Sequence, residues 1–114
     1  MGTRETLEQR MNEPLRPPIE VVRSYLQLRV SDAVSNDEIQ RDMQRLRERD
    51  PKRLADTADA IDAVLAGPNP PGVLARLVGW DGNRSLTDSS DEGAADWLRD
   101  LAARMRSSLN QPQP

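Results

Sequence analysis

The sequence predicts an all-α fold, a compact bundle of four to five helices with frayed proline-containing termini. Apolar residues recur at intervals of three and four along several segments, and capping residues and prolines separate these segments. No alternating strand pattern of any length and no internal repeat is present. The length of 114 residues suits one small domain. We place it at residues 19–109, between a flexible or peripheral N-terminal segment, 1–18, and a disordered tail, 110–114.

A first helix of the domain is predicted from Ile19 to about Val30. Pro17 and Pro18 precede it, and a proline can open a helix because its missing N–H is not needed at the first helical position. The apolar positions at helical spacing are Ile19, Val22, Leu26 and Val30, with Tyr25 beside them. A short peripheral helix is predicted upstream, from Thr3 to Glu13.

The second helix has the clearest start signal in the chain. Ser35 and Glu38 have the spacing of a capping box, in which the hydroxyl accepts from the amide three residues on and the carboxylate accepts from the cap amide. Asp50-Pro51 ends this helix and starts the third, because Asp caps and Pro fits the first position. We expect Gly67 to end the third helix as a left-handed C-cap. The inward-facing residues of the two helices are Ile39, Met43 and Leu46, then Leu54, Ala58, Ile61 and Leu65.

A fourth, short helix is predicted from about Pro71 to Gly79. It delivers Trp80 into the turn 81–83, and we expect this indole to cover the core as a lid. The last helix starts within 88–92, which offers overlapping N-caps, with Ser89 and Glu92 at capping-box spacing. Its inward-facing residues are Ala94, Leu98, Leu101, Met105 and Leu109, with Trp97 on the flank of this stripe.

The composition excludes most catalytic chemistry. The chain has no His and no Cys, so thiol nucleophiles, Ser-His pairs, disulfides and Cys/His zinc sites are absent. Carboxylates are numerous but form no informative arrangement, and no side chain here titrates near neutrality without a large perturbation. We therefore expect no enzyme, no catalytic residue and no cofactor.

One stretch has the ligand spacing of a calcium-binding EF-hand loop. Its oxygen-bearing residues at positions 1, 3, 5, 7, 9 and 12 are Asp81, Asn83, Ser85, Thr87, Ser89 and Glu92. Position six is Leu86 where the sharp turn needs Gly, and position eight is Asp88 where the loop usually has an apolar residue. A turn followed by a helix cap explains the same residues, so we expect no metal site.

The charges are unevenly distributed along the chain. Residues 1–53 hold eleven basic and ten acidic groups, whereas 54–114 hold five and nine. Asp56, Asp59 and Asp62 recur every three residues along the third helix, opposite its apolar stripe. Two interpretations remain open: a solvated face, or a negative strip that steers a basic partner. Further acidic residues that extend the strip are Asp81, Asp91, Glu92, Asp96 and Asp100.

Residues 36–53 form an Arg-rich helix that also has two interpretations. It can contact phosphates, because the second helix running tightly into the third has the outline of a helix-turn-helix. It can equally be a helix with internal ion pairs, with Glu38 three residues before Arg41 and Asp42 three before Arg45. The Gly-containing turn of a DNA-reading motif is missing, and the net charge of −3 argues against nucleic acid as the main partner.

No membrane or export signal is visible. The first ten residues are polar, and no stretch approaches the ~20 apolar residues that a membrane span needs. We expect a soluble, cytoplasmic bacterial protein with no membrane partner.

Two segments carry a family resemblance: PPGVLARLVGWDGN at 70–83 and SDEGAADWLR at 90–99. They resemble small helical immunity proteins of bacterial toxin–immunity systems, including the contact-dependent-inhibition kind, and the second is similar to the opening of the last helix in colicin-nuclease immunity proteins. The Tyr-Tyr pair of the colicin-type family is not found, and Trp80 and Asp81 stand near its place.

The resemblance implies a protein that binds and neutralises a cognate toxin domain by occlusion, through an acidic face and an apolar anchor. The expected partner-binding residues are Asp56, Asp59, Asp62, Trp80, Asp81, Asn83, Asp91, Glu92 and Asp96. The alternatives are a small nucleic-acid-binding regulator that uses the Arg-rich helix 36–53, and a helical adaptor or oligomerisation protein. The sequence does not determine the oligomeric state.

Overall fold

A computed structural model describes residues 16–110, and within them the backbone forms five helices and no strand. The helices are α1 (Pro18–Tyr25, continued by a π-helical turn over Leu26–Val30), α2 (Asn36–Arg49), α3 (Pro51–Ala66), α4 (Val73–Arg76, continued by a π-helical turn over Leu77–Asp81) and α5 (Asp91–Asn110). The all-α prediction of four to five helices is confirmed. The short helix predicted over 3–13, most of the N-terminal segment and the tail 111–114 lie outside the described residues.

The starts of α2 and α3 follow the local signals in the sequence. The Ser35 hydroxyl accepts the Glu38 N–H at 3.3 Å, and the Asp50 carboxylate accepts the Arg53 N–H at 3.1 Å. The second bond of the predicted capping box does not form as expected. The Glu38 carboxylate accepts the N–H of Val34 at 2.7 Å and not the N–H of the cap residue Ser35. Both helices therefore begin where side-chain oxygens satisfy amides that have no partner within the helix.

The predicted end of α3 is wrong in detail. Gly67 is not left-handed: its φ of −80° and ψ of 163° are extended, and the Asn69 amide group closes the turn by donating to the carbonyl oxygen of Val64 at 2.8 Å. Among the overlapping caps offered at the start of α5, Ser90 is the one used, since its hydroxyl accepts the N–H of Gly93 at 3.3 Å. Left-handed backbone occurs instead at Gly72 (φ 88°) and Asn83 (φ 52°).

The core lies between α3 and the helices around it. α3 packs against α1, α2 and α5, and α4 packs against α5. The largest side chains that lose all contact with solvent are aliphatic or Met: Leu26, Met43, Leu54, Ile61, Leu77, Leu98 and Met105. Each contributes about 1.5–3 kcal/mol by burial. Among aromatic residues of the described chain, only Tyr25 is buried.

The π-helical turns that end α1 and α4 pack against each other. Their wider hydrogen bonds run from the Ser31 N–H to the Leu26 carbonyl (2.8 Å) and from the Gly82 N–H to the Leu77 carbonyl (3.0 Å). Gly82 is required by close packing, since a Cβ there would lie 2.8 Å from the Val78 carbonyl oxygen. π-helical turns are rare and occur frequently at functional sites. The second of these turns carries Trp80 and Asp81, which belong to the candidate site described below.

Candidate functional site

Trp80 lies on the surface, with 75% of its area exposed. The expectation that it covers the core is therefore wrong. In α4 the inward-facing residues are Leu77 and Val78, which are buried. Trp80 follows them on the π-helical turn Leu77–Asp81, and its side chain faces solvent. Exposed indoles of this kind are candidate anchors for a partner.

A cleft of about 360 Å³ adjoins the indole, lined by Arg23, Val73, Arg76, Leu77, Trp80 and Asp81. Val73, which is half-buried, supplies apolar surface beside the indole. Arg76 lies four residues before Trp80, is exposed, and makes no ion pair among residues 16–110. This Arg–Trp pair was missed from the sequence, although its four-residue helical spacing was an available signal.

Asp81 and Asn83 join α4 to the end of α1. The Asp81 carboxylate, with its side chain 12% exposed, accepts from Arg23 Nε at 3.4 Å and from Gln27 Nε2 at 3.0 Å. Asn83 donates through Nδ2 to the Ser31 carbonyl at 3.1 Å. Both residues were expected to face a partner, and the structure places them in bonds that fix the position of Trp80.

Arg84 strengthens the same junction. Its Nη2 donates to the Ala33 carbonyl at 2.7 Å, and its Nε donates to the carbonyl oxygens of Gly82 and Asn83. Sequence reasoning gave Arg84 no role, because an isolated arginine in a polar loop has no periodic or motif signal. The turn after Trp80 is thus held by the side chains of Asn83 and Arg84, which donate to the carbonyls of Ser31 and Ala33.

Asp91 caps α4 from the first turn of α5. Its carboxylate accepts the N–H of Gly72 at 2.7 Å and the N–H of Ala75 at 2.9 Å. These bonds hold the pKa of the Asp91 carboxyl below its usual range, the Gly72 bond most strongly. The neighbouring Glu92 is exposed and makes no hydrogen bond or ion pair within the described chain. Of these two predicted binding residues, only Glu92 has a free carboxylate.

The acidic residues on α3 are paired with cations. Asp56 lies 2.8 Å from Lys52 Nζ, and the Arg106 guanidinium on α5 lies 2.9 Å from Asp59 and 2.6 Å from Asp62. These carboxylates raise the pKa of Arg106, Asp62 more strongly than Asp59. The three carboxylates are thus paired with two cations. The negative strip on α3 therefore carries less net charge than its sequence alone indicates. On α5, Asp96 is likewise paired with Arg99.

The EF-hand spacing does not produce a shared cation site in the described chain. Asp81 and Asn83 bond to α1 and its following turn, while Glu92 belongs to the first turn of α5. No group of three or more carboxylates within residues 16–110 is arranged to hold a metal ion. The turn-and-cap interpretation accounts for these residues.

The internal ion pairs expected on α2 do not form. Asp42 pairs with Arg29 of α1 at 3.1 Å and not with Arg45, and the Glu38 carboxylate bonds to the backbone of Val34. Arg47 is buried. Arg41, Arg45 and Arg49, which we name the arginine ridge, are exposed, and none of them has an ion pair in the part of the chain described.

The two segments that carry the family resemblance form one structural unit. Residues 70–83 contain α4 and the exposed Trp80, and 90–99 open α5, with Asp91 joining them. No helix among the described residues combines the length and apolar content needed to cross a bilayer. In comparisons with known proteins, no protein-family model, no curated protein and no solved structure matched this chain.

Proposed function

We propose that this chain is a non-enzymatic protein-binding module of the immunity type, which neutralises a cognate bacterial toxin domain by covering its functional surface. The observation that carries the proposal is the exposed Trp80 beside the cleft with Arg76 at its rim. Tryptophan and arginine are the residues most enriched among those that dominate binding energy at protein interfaces. An indole exposed in the free chain gains apolar burial only when a partner covers it.

Rigidity around the indole supports the same proposal. Asp81 joins α4 to α1, and Arg84 fixes the turn that follows. Asp91 joins the start of α4 to α5. A surface already held in its binding conformation loses little conformational entropy on association, which favours tight binding.

The acidic strip has a supporting role in this proposal. Asp56, Asp59 and Asp62 are exposed but paired, so their direct contribution to contact energy is small. The net charge of −3 still attracts a basic toxin domain at long range and increases the association rate at low salt. The contact energy is assigned to Trp80 and its cleft, and the steering to the acidic residues.

The test is rescue of growth. The protein encoded by the adjacent gene, as the candidate toxin domain, is expressed in bacteria together with the wild-type chain, with Trp80→Ala, or with Trp97→Phe. Wild type and Trp97→Phe should restore growth and copurify with the toxin domain, and Trp80→Ala should do neither while retaining its helical circular dichroism. Trp97→Phe is the matched control, because it alters the second tryptophan, which is partly buried on α5. If the wild-type chain neither rescues growth nor copurifies, the proposal is wrong.

A further inference from the structure

The arginine ridge is a regular row of positive charge on the outer side of α2. Arg41, Arg45 and Arg49 follow each other at four-residue intervals, which in an α-helix is a rise of about 6 Å per step and about 12 Å in all. Each step turns the side chain by about 40°, so the three guanidinium groups leave the helix within a sector of about 80°. All three residues are exposed.

The acidic residues near the ridge are mostly engaged elsewhere. Asp42 pairs with Arg29, and the Asp50 carboxylate caps α3. Glu48 is the one exposed acidic residue within 41–49 that bonds to no other described group. Residues 41–53 hold six basic and three acidic side chains, a net +3 in a chain whose total is −3. The remainder of the chain therefore carries −6, and the positive charge is concentrated in this segment.

We propose that the arginine ridge binds the phosphate backbone of a nucleic-acid duplex, as a second surface independent of the Trp80 cleft. Guanidinium groups form paired hydrogen bonds with phosphate oxygens and stay charged at all physiological pH values. A row of about 12 Å spans three to four phosphates of one strand, because each strand carries a charge about every 3.4 Å.

The composition of this surface determines the kind of binding. Residues 36–53 contain no aromatic side chain, so the ridge has no platform on which unpaired bases stack. Contacts confined to phosphates position a protein on the backbone but do not read the sequence. The ridge therefore binds duplexes of any sequence, weakly and with a strong dependence on salt.

The experiment measures the fluorescence anisotropy of a labelled 20-base-pair DNA duplex of mixed sequence between 25 and 200 mM salt. The wild-type chain should bind with a dissociation constant in the micromolar range at low salt. Its log–log slope against salt should be about −3, since each neutralised phosphate contributes about −0.9. The variant Arg41→Gln/Arg45→Gln/Arg49→Gln should bind at least tenfold more weakly, with a slope near zero.

The matched control is Arg16→Gln/Arg99→Gln/Arg104→Gln, which removes the same charge from residues outside α2. It should stay within about threefold of wild type and keep the slope. Equal losses in both triple variants, or no wild-type binding at 25 mM salt, would overturn the proposal. Ridge-dependent binding to phosphatidylserine vesicles without any binding to DNA would overturn it too and identify a membrane surface as the partner. Rescue from the toxin involves other residues, so the two proposals fail separately.

Discussion

The Asp91 carboxylate accepts the Gly72 N–H at 2.7 Å, and so the first turn of α5 caps the first turn of α4. The two residues are 19 positions apart in the chain. Gly72 is the N-cap residue of α4 and has left-handed backbone, with φ 88°. Because glycine has no side chain, it cannot itself cap the helix. A helix of this short length cannot stabilise itself, so the orientation of the candidate Trp80 surface depends on this tertiary cap.

Replacing Asp91 should lower stability in a pH-dependent manner. Its folded-state pKa is below the unfolded value, so its stabilisation is present above about pH 4 and is lost as the pH falls through the folded pKa. Asp91→Asn should lower the urea midpoint at pH 7 and flatten the decline of stability between pH 5 and 2. Glu92→Gln, one residue away on an exposed side chain, is the control and should change neither. Parallel pH profiles for wild type and Asp91→Asn would contradict the capping role.

Adding a methyl group at Gly93 should destabilise the fold although alanine favours helices. A Cβ at Gly93 would overlap the Asp88 carbonyl oxygen and lie 2.8 Å from the Asp88 Cβ. The backbone of the capping loop must shift, and we expect Gly93→Ala to cost about 1–3 kcal/mol. In Gly79→Ala the new Cβ would meet only the Arg84 carbonyl oxygen at 3.8 Å, so this control should be tolerated. Urea unfolding of both variants measures the difference, and equal stability would be evidence against the close approach.

Removing the Ser108 hydroxyl should stabilise the protein. Ser108 is fully buried on α5, and its Oγ has no hydrogen-bond partner among the described residues. Ser108→Ala gains the helix propensity of alanine, about 0.5 kcal/mol, and removes an unsatisfied buried group, worth about 1 kcal/mol or more. The neighbouring exposed Ser107 is the control, because Ser107→Ala gains the propensity term alone. Thermal or urea unfolding should rank Ser108→Ala as the more stable of the two, and the reverse order would be inconsistent with an unpaired hydroxyl.

Trp80 should contribute little to the stability of the free chain. With 75% of its area exposed, Trp80→Ala should leave the free energy of unfolding within about 0.5 kcal/mol of wild type. Trp97 packs against the core, so Trp97→Ala should cost about 3 kcal/mol, near the lower end for large-to-small changes. Urea titrations followed by circular dichroism measure both. A large loss in Trp80→Ala would mean that the indole packs against the protein in solution.

Features determined by neighbours along the chain were predictable, and those that depend on distant partners were not. The start of α2 at Ser35 follows from residues within four positions of the cap. The roles of Asp91 and Asp59 depend on Gly72 and on Arg106, 47 positions from Asp59. Because no local pattern encodes such partners, the sequence indicated which residues are charged but not which of these charges are neutralised.

The orientation of Trp80 escaped prediction for a different reason. Its position directly after a short apolar helix and before a turn indicated a core residue. The helix ends there in a π-helical turn over Leu77–Asp81, and the indole on that turn is exposed. Such turns have no reliable sequence signal, so apolar periodicity fails where the helix departs from 3.6 residues per turn.

A calorimetric titration with the protein encoded by the adjacent gene, as the candidate toxin, tests directly whether Trp80 supplies the contact energy. It compares wild type with Trp80→Ala and with Asp56→Asn/Asp59→Asn/Asp62→Asn. If the Trp80 cleft supplies the contact energy, Trp80→Ala should weaken binding at least about tenfold, or 1.4 kcal/mol. The triple Asn variant should stay within about threefold of wild type at 150 mM salt. Full affinity in Trp80→Ala together with loss of binding in the triple variant would contradict the assignment of the contact energy to the Trp80 cleft. The interface would then lie on the acidic residues of α3.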